Sequence, residues 1–471
     1  MHHIEQVYIN GEFVTPHGTE RFDLYNPATA RVIGQVCLAD AVDGERAIAA
    51  ARAAFPAWSK TTKQVRIAAL QRMHAAVAAR HDDLLEAVVE EYGAPASRSA
   101  WMASYPAEVI AQAIAALEAF EFTTVAGAAR VEMTPLGVAG LITPWNSDAG
   151  FICGKLAAAL AAGCTAVIKP SEMSALQTQI VTEALHAADL PPGVFNIVTG
   201  RGDTVGETIS RHPHVAKISF TGSTRTGKAI LRNAAENFTR VTLELGGKSP
   251  TLILDDADIK QAVPLAIQAG LMNSGQACVA GTRILVPQSR KAEFEQALAQ
   301  AIAAVVSGDP RDAKTVVGPM VSERQWQRVQ GYIQKGLAEG ARLLVGGVGR
   351  PEGTWDGWFV RPTLFTDVHN QMAIARDEIF GPVLCVITYR DEAEAIAIAN
   401  DTDYGLSALV LGGDSGRARR VAQQIHAGRV LVNTLTHEPK APFGGFKHSG
   451  VGREMGAWGI SAFMEPKTIL G

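Results

Sequence analysis

The sequence predicts an α/β protein made of two consecutive strand–helix series, and three observations carry that expectation. From Gly137 onward, short apolar runs bounded by glycine or proline alternate with helical segments of about a dozen residues. This is the pattern of parallel sheet buried on both faces. The alternation restarts after Gly246-Gly247. The chain has 471 residues, 47% of them apolar and 19% charged, so it can bury a large core. At roughly 150 residues per domain it has room for about three domain-sized pieces.

The elements follow in order. Up to about Phe120 the chain reads as helical, with residues 45–58 and 63–92 rich in alanine and apolar at helical spacing. The first series has strands expected at 137–142, 165–168, 194–198, 216–220 and 241–245. The second has strands at 250–254, 283–286 and 382–388, with helices at 258–273, 289–306 and 391–400. No low-complexity linker separates the two series, which predicts that they lie against each other, and no fixed-period repeat is present.

Charge and cysteine usage exclude several classes. Lys and Arg number 43 against 47 Asp and Glu, a net charge of -4, with no basic run to serve nucleic acid or an anionic membrane. The longest apolar candidate, residues 149–168, is interrupted by Lys155 and falls short of a membrane span. The start lacks the basic-then-apolar order of a signal peptide, so a cytoplasmic protein is expected. Five cysteines, Cys37, Cys153, Cys164, Cys278 and Cys385, are widely spaced without a C-x-x-C pair. That argues against a disulfide framework or structural zinc.

In open parallel sheets ligands sit at the carboxyl ends of strands. The first series places Thr143-Pro-Trp-Asn146, Lys169-Pro-Ser-Glu172, Thr221-Gly-Ser223 and Glu244 there. Gly222 to Lys228 matches G-x-x-x-x-G-K, but a P-loop needs Ser or Thr next and Ala229 follows. What survives is a glycine turn feeding a helix N-terminus, a place for phosphate. Gly200-Arg-Gly202 misses the dinucleotide fingerprint by one residue and reads alone as a tight turn. His212 and His214 flank a proline with no third ligand nearby, so no metal site is expected.

Two residues stand out. Cys278 lies in a small, polar, glycine-containing loop, Asn273-Ser-Gly-Gln-Ala-Cys278. A buried structural thiol is one reading, an accessible thiolate the other. Glu244 interrupts a buried-looking strand. It is a carboxylate on a solvated edge or bonded to the following glycine N–H groups, or else a general base of raised pKa. Lys169, before Pro170, reads alone as a snorkelling lysine.

Taken together, the ordered segments resemble the NAD(P)-dependent aldehyde dehydrogenase superfamily over almost the whole chain. The carrying motifs are Pro144-Trp-Asn146, Lys169-Pro-Ser-Glu172, Phe220-Thr-Gly-Ser223, Leu243-Glu-Leu-Gly-Gly-Lys-Ser-Pro250, Gly275-Gln-Ala-Cys278 with Arg283, Glu378-Ile-Phe-Gly-Pro382, and Pro442-Phe-Gly-Gly-Phe-Lys447 with Ser449-Gly-Val-Gly-Arg-Glu454. The resemblance implies a Rossmann-like cofactor domain (1–120 and 136–246), an α/β catalytic domain (247–438) and a small β-arm for oligomerisation (121–135 and 455–471). It implies a homodimer or homotetramer acting on a small-molecule aldehyde. Cys278 would attack the aldehyde, Asn146 and the Cys278 N–H would hold the oxyanion, and Glu244 would activate the deacylating water. Retention of Glu244 points to hydrolysis rather than transfer to coenzyme A. The implied catalytic set is Cys278, Glu244, Asn146 and Lys169. The implied cofactor set is Ile142, Thr143, Pro144, Trp145, Lys169, Ser171, Glu172, Gly202, Phe220, Thr221, Gly222, Ser223, Leu245, Gly246, Glu378 and Phe380. Glu172 would repel a 2′-phosphate, favouring NAD over NADP.

One departure matters. The family usually follows Trp-Asn with an aromatic residue and proline, whereas Asn146 here precedes Ser147-Asp148. The expectation is a wider or more polar substrate tunnel, with Asp148 adding charge. His437 or Glu438 would add polarity, while the small Ala277 and Val279 would leave room beside Cys278.

Overall fold

The computed structural model describes residues 1–354 and 356–471. The first strand series forms the middle of an eight-stranded sheet. Its parallel core runs Arg240–Glu244, Val215–Thr221, Val138–Ile142, Thr165–Lys169 and Phe195–Ile197. The three strands of the second series lie in a seven-stranded sheet with four that the sequence reading did not place, in the order Arg342–Val345, Thr363–Thr366, Val383–Tyr389, Arg283–Pro287, Pro250–Ile253, Ser407–Leu411 and Arg429–Val432. Only its first strand is antiparallel. Most of the central strands are buried along their whole length, as their unbroken apolar runs require.

The first 37 residues correct the expectation of an all-helical start. They contain five strands, and Val7–Ile9 with Glu12–Val14 makes a hairpin on the outer edge of the eight-stranded sheet. The Asn10-Gly11 turn has φ of 55° and 87°, the geometry that lets a two-residue turn match strand twist. That dipeptide between alternating apolar residues was the available signal. The helices expected next are present as Ala41–Trp58, Lys63–Ala78 and His81–Ala87, and Ala96–Ala119 follows. A π-helical turn, Val88–Tyr92, ends at Gly93 in the left-handed region.

At the other edge, Gly450–Val451, which the sequence reading placed in neither sheet, pairs antiparallel with Leu243 and Glu244. The helix Asp148–Ala162 is buried on nearly every face, which its Ala and Gly content permits, and stops at Gly163 with φ 94°. A side chain on Gly163 would stand 2.5 Å from the Arg66 guanidinium. A separate three-stranded antiparallel sheet joins Met464–Ile469, Ala129–Pro135 and Thr123–Ala126. Its outer strand is wholly exposed, Val125 to 79%. Among the described residues no helix is long and apolar enough to cross a membrane.

Candidate active site

The carboxyl ends of the first sheet's strands and the amino ends of the second sheet's strands supply the two halves of one cavity of about 410 Å³. Asn146, Glu244 and Cys278 all line it. The carboxyl-end rule therefore holds for the first sheet only. The Cys278 loop precedes the strand Arg283–Pro287 instead of following one.

That loop begins where the helix Ile259–Leu271 ends. Asn273, Ser274 and Gly275 are all left-handed, with φ of 54°, 58° and 75°. Such residues cost about 1–3 kcal/mol each outside glycine, so the surroundings must hold them. Asn273 Nδ2 donates to the carbonyls of Asn146 (3.1 Å) and Gln276 (3.2 Å), and Ser274 Oγ accepts from Gly318 N–H. Gln276 donates to Tyr92 Oη and Pro319 O and accepts from Val321 N–H. Gly275 is dictated twice, because a Cβ there would also lie 2.3 Å from the Gly381 backbone. Sequence reasoning missed this brace of Asn273 and Gln276. Its signal was two amide side chains flanking Ser-Gly just ahead of the cysteine.

Asn146 Nδ2 donates to Gln276 O at 3.0 Å, so the amide is oriented by the Cys278 loop itself. Cys278 is half-buried. Burial, followed by the charges of Glu378 and Glu244, pushes its thiol up to about 12. The half-buried thiol fits neither a fully buried structural cysteine nor a freely exposed one.

Glu244 is 3% exposed, and neither carboxyl oxygen has a hydrogen-bond partner among the described residues. Both bland readings fail, since it is neither solvated nor bonded to the following glycines. Burial first and the charge of Glu454 second hold its pKa well above the ordinary carboxyl range, against Lys155 and Arg453. Behind it, Lys155 Nζ donates to Glu454 Oε1 (2.5 Å) and Ser219 Oγ (2.9 Å), and Ser219 donates to Glu454 at 2.8 Å. This network was not anticipated, though a lone Lys155 in an apolar stretch was its trace.

Asp148 corrects the tunnel expectation. It is fully buried, turned from the cavity, and accepts from Thr143 Oγ1 (2.6 Å) and Thr178 Oγ1 (2.9 Å). Burial raises its carboxyl to about 7. Ser147, Ala277, Val279 and His437 do line the cavity; Glu438 is exposed and does not. The walls along the helices Ala96–Ala119 and Asp148–Ala162 are largely apolar, carrying Trp101, Tyr105, Phe151 and Ala158.

The remaining predicted residues gather in a crevice along the same strand ends. Thr143 to Trp145 follow Ile142 at the end of Val138–Ile142, and Trp145 meets Phe380 edge-on with centroids 5.3 Å apart. Lys169 is buried, with Nζ 3.5 Å from Glu172 Oε2, so it is neither a surface lysine nor a wall of the Cys278 cavity. Its expected place among the catalytic residues is not where it lies. Arg201 Nη1 donates to the other Glu172 oxygen at 3.3 Å, and Ser171 caps the turn that carries Glu172. Gly202 opens the next turn, with free space beside it.

Ser223 Oγ accepts from Thr226 N–H and caps the helix Thr224–Ala235 directly after Phe220-Thr221-Gly222. A Cβ on Gly222 would strike the Phe220 ring at 2.5 Å, and one on Gly246 would meet Glu378 Oε2 at 2.4 Å. Leu245 is buried beside Gly227. Glu378 accepts from Gly247 N–H, and burial raises it to about 7. A capped helix N-terminus for phosphate, a buried lysine with a carboxylate for ribose hydroxyls, and aromatic faces for a ring suit a dinucleotide. Among the described residues no group of three or more His, Cys, Asp or Glu side chains could hold a metal.

Fold and cavity define an α/β enzyme class whose cysteine site lies between two parallel sheets. The chain belongs to the aldehyde dehydrogenase family, whose model matches residues 13–469. It is 43% identical to a 3-succinoylsemialdehyde-pyridine dehydrogenase from Pseudomonas sp, covering all of this chain and 99% of that protein. It is similar to the structure of aldehyde dehydrogenase C from Pseudomonas syringae, a cysteine-to-alanine variant in complex with NAD+ and octanal. That match has a TM-score of 0.97 and 45% identity, over 99% of this chain and 96% of that one. A Mycobacterium tuberculosis aldehyde dehydrogenase complexed with NAD+ matches with a TM-score of 0.96 and 38% identity, over 99% and 98%.

Proposed function

We propose that this chain oxidises an aldehyde to its carboxylic acid with NAD, through a covalent intermediate on Cys278. The observation that carries the reading is the shared cavity of a thiol, an oriented amide and a buried carboxyl free of hydrogen bonds. Glu244 accepts the Cys278 proton, and the sulphur adds to the aldehyde carbon to give a thiohemiacetal. The carbonyl oxygen becomes an oxyanion, held by the Asn146 amide and the Cys278 N–H. One such donor is worth about 3–4 kcal/mol. Bound NAD would supply the hydride acceptor. Lys169 and Glu172 would meet its adenine ribose, Gly222 and Ser223 its pyrophosphate, and Glu378 with Phe380 its nicotinamide end.

Glu244 passes the thiol proton to solvent before deacylation, and then takes a proton from water as it attacks the Cys278 thioester. The carbon–sulphur bond breaks, the thiol regains its proton and the acid leaves. A carboxyl raised by burial is suited to such work near neutral pH. We assign residues 1–120 and 136–246 to cofactor binding and 247–438 to catalysis. The exposed sheet of 121–135 and 455–471 fits a homo-oligomer, because a partner would cover its open edge.

The test is NADH formation from an aldehyde panel. Cys278→Ala is expected to abolish it, and Glu244→Gln to accumulate an acyl adduct on Cys278, detected by mass. Turnover surviving in Cys278→Ala, or an absolute need for coenzyme A, overturns the reading.

A further inference from the structure

The cavity around Cys278 carries more positive charge than the proposed chemistry uses. Four cations line it, Arg98, Lys155, Arg429 and Arg453, against two carboxyls, Glu244 and Glu454. Lys155 is paired with Glu454, and Arg453 donates to the carbonyls of Gly445 and Gly452. Glu244 is buried and neither of its oxygens bonds to any of the four among the described residues. Arg453, Arg98 and Arg429 are left without a balancing charge, and of the three only Arg453 has its guanidinium taken up by carbonyls.

Arg429 opens the edge strand Arg429–Val432, level with Ser407, and its Nε donates to Ser407 Oγ at 3.2 Å. Its guanidinium carbon lies 5.7 Å from the centre of the Phe443 ring, and the titratable group acting on it is the Cys278 thiol. Arg98 comes from the opposite wall, in the first turn of Ala96–Ala119, where the helix dipole disfavours a cation. Its guanidinium carbon lies 3.8 Å from the centre of the Trp101 ring, its Nε has no hydrogen-bond partner among the described residues, and its titratable neighbours are Tyr92 and Tyr105. Burying a guanidinium is costly unless an anion meets it. Here two half-buried guanidinia, Arg98 and Arg429, line one cavity with no carboxylate paired to either among the described residues.

We propose that the substrate is an aldehyde bearing a carboxylate at its far end, an ω-oxo acid, and that Arg429 and Arg98 bind that carboxylate. The planar guanidinium fork matches a carboxylate with two hydrogen bonds, which a neutral aldehyde cannot accept. Trp101 and Phe443 flank the intervening methylenes. This rests on the aldehyde-oxidising reading above and names its substrate class.

The experiment compares kcat/KM for 4-oxobutanoate and butanal, with NAD and the full chain, in wild type, Arg429→Gln, Arg429→Lys and Arg98→Gln. Wild type is expected to favour the oxo acid. In Arg429→Gln the oxo acid-to-butanal ratio should fall about 100-fold, mostly through KM, as for losing one partner of a buried charge pair. Arg429→Lys should restore part of that ratio, which a merely misfolded variant would not. Preference for butanal, or equal loss of both substrates in Arg429→Gln, overturns the proposal and leaves Arg429 serving the thiol. If wild type turns over neither aldehyde, the oxidation reading has failed. Calorimetric titration of Cys278→Ala with the same two compounds then decides the carboxylate site. Oxo acid binding that vanishes in the Cys278→Ala, Arg429→Gln double variant supports it, and no selective binding overturns it.

Discussion

Asp148→Asn should make the protein more stable at alkaline pH than the native chain, with a gap that grows as pH rises. The carboxyl is fully buried and its pKa is raised from 3.8 to about 7, with burial as the main cause. Between those values the folded state binds more protons than the unfolded state, so native stability falls as pH rises from about 4 to 7 and levels off above. From pH 5 to pH 8 the last two units apply, at 1.36 kcal/mol each, or ~3 kcal/mol. With about 2.1 cal/mol/K of unfolding entropy per residue, 471 residues give ~1 kcal/mol/K, so this is ~3 °C in Tm. Asn cannot ionise, and its amide can still meet the hydroxyls of Thr143 and Thr178. Glu91, raised to about 8 chiefly by burial and in lesser part by Asp148, would relax in the same direction. The assay is thermal unfolding of both proteins at pH 5, 6.5 and 8. A Tm gap that is constant or shrinks with pH refutes the reasoning.

Two further outcomes follow from the cavity and the crevice. A Cβ at Gly154 finds Val109 at 3.7 Å, an ordinary contact, so Gly154→Leu should fold. It would fill space equal to about three methylenes, and at ~0.8 kcal/mol each kcat/KM for octanal should fall ~50-fold relative to butanal. An unchanged chain-length profile would show that the tunnel does not run between these helices. Glu172→Gln removes a carboxylate from the expected ribose site, so the NADP-to-NAD ratio of kcat/KM should rise about fivefold, equivalent to ~1 kcal/mol. A ratio that stays put assigns cofactor choice elsewhere.

The five parallel strands of the first sheet and three of the six in the second were legible because both of their faces are buried, which writes an unbroken apolar run into the sequence. Glu244 stood out for the opposite reason, as a carboxylate in a buried-looking strand, Cys278 as a thiol in a small polar loop, and Asn146 only through the ordered motifs. Asp148 misled because a charge beside a tunnel residue reads as tunnel polarity. Only tertiary contacts with Thr143 and Thr178, the latter 30 residues away, reveal that it turns inward. The Arg201 approach to Glu172 and the Lys155–Ser219–Glu454 network were beyond reach too, since they join residues 29 to 299 positions apart. The amino-terminal hairpin was a miss with a plain local signal, Asn10-Gly11, passed over beside the alanine-rich helices that follow.

The short strand Gly450–Val451 has a consequence for the order in which the enzyme comes into being. It is the last neighbour of the strand bearing Glu244. Next to it Ser449 O accepts from Leu245 N–H, Ser449 Oγ donates to Gly246 O, and Glu454 takes Lys155. During synthesis, residues 240–244 therefore wait as an open sheet edge until about two hundred more residues have left the ribosome. A chain arrested before residue 449 would already hold the Cys278 loop yet lack the clasp around Glu244. The cavity around Cys278 and Glu244 therefore closes only once residues 449–454 have joined it.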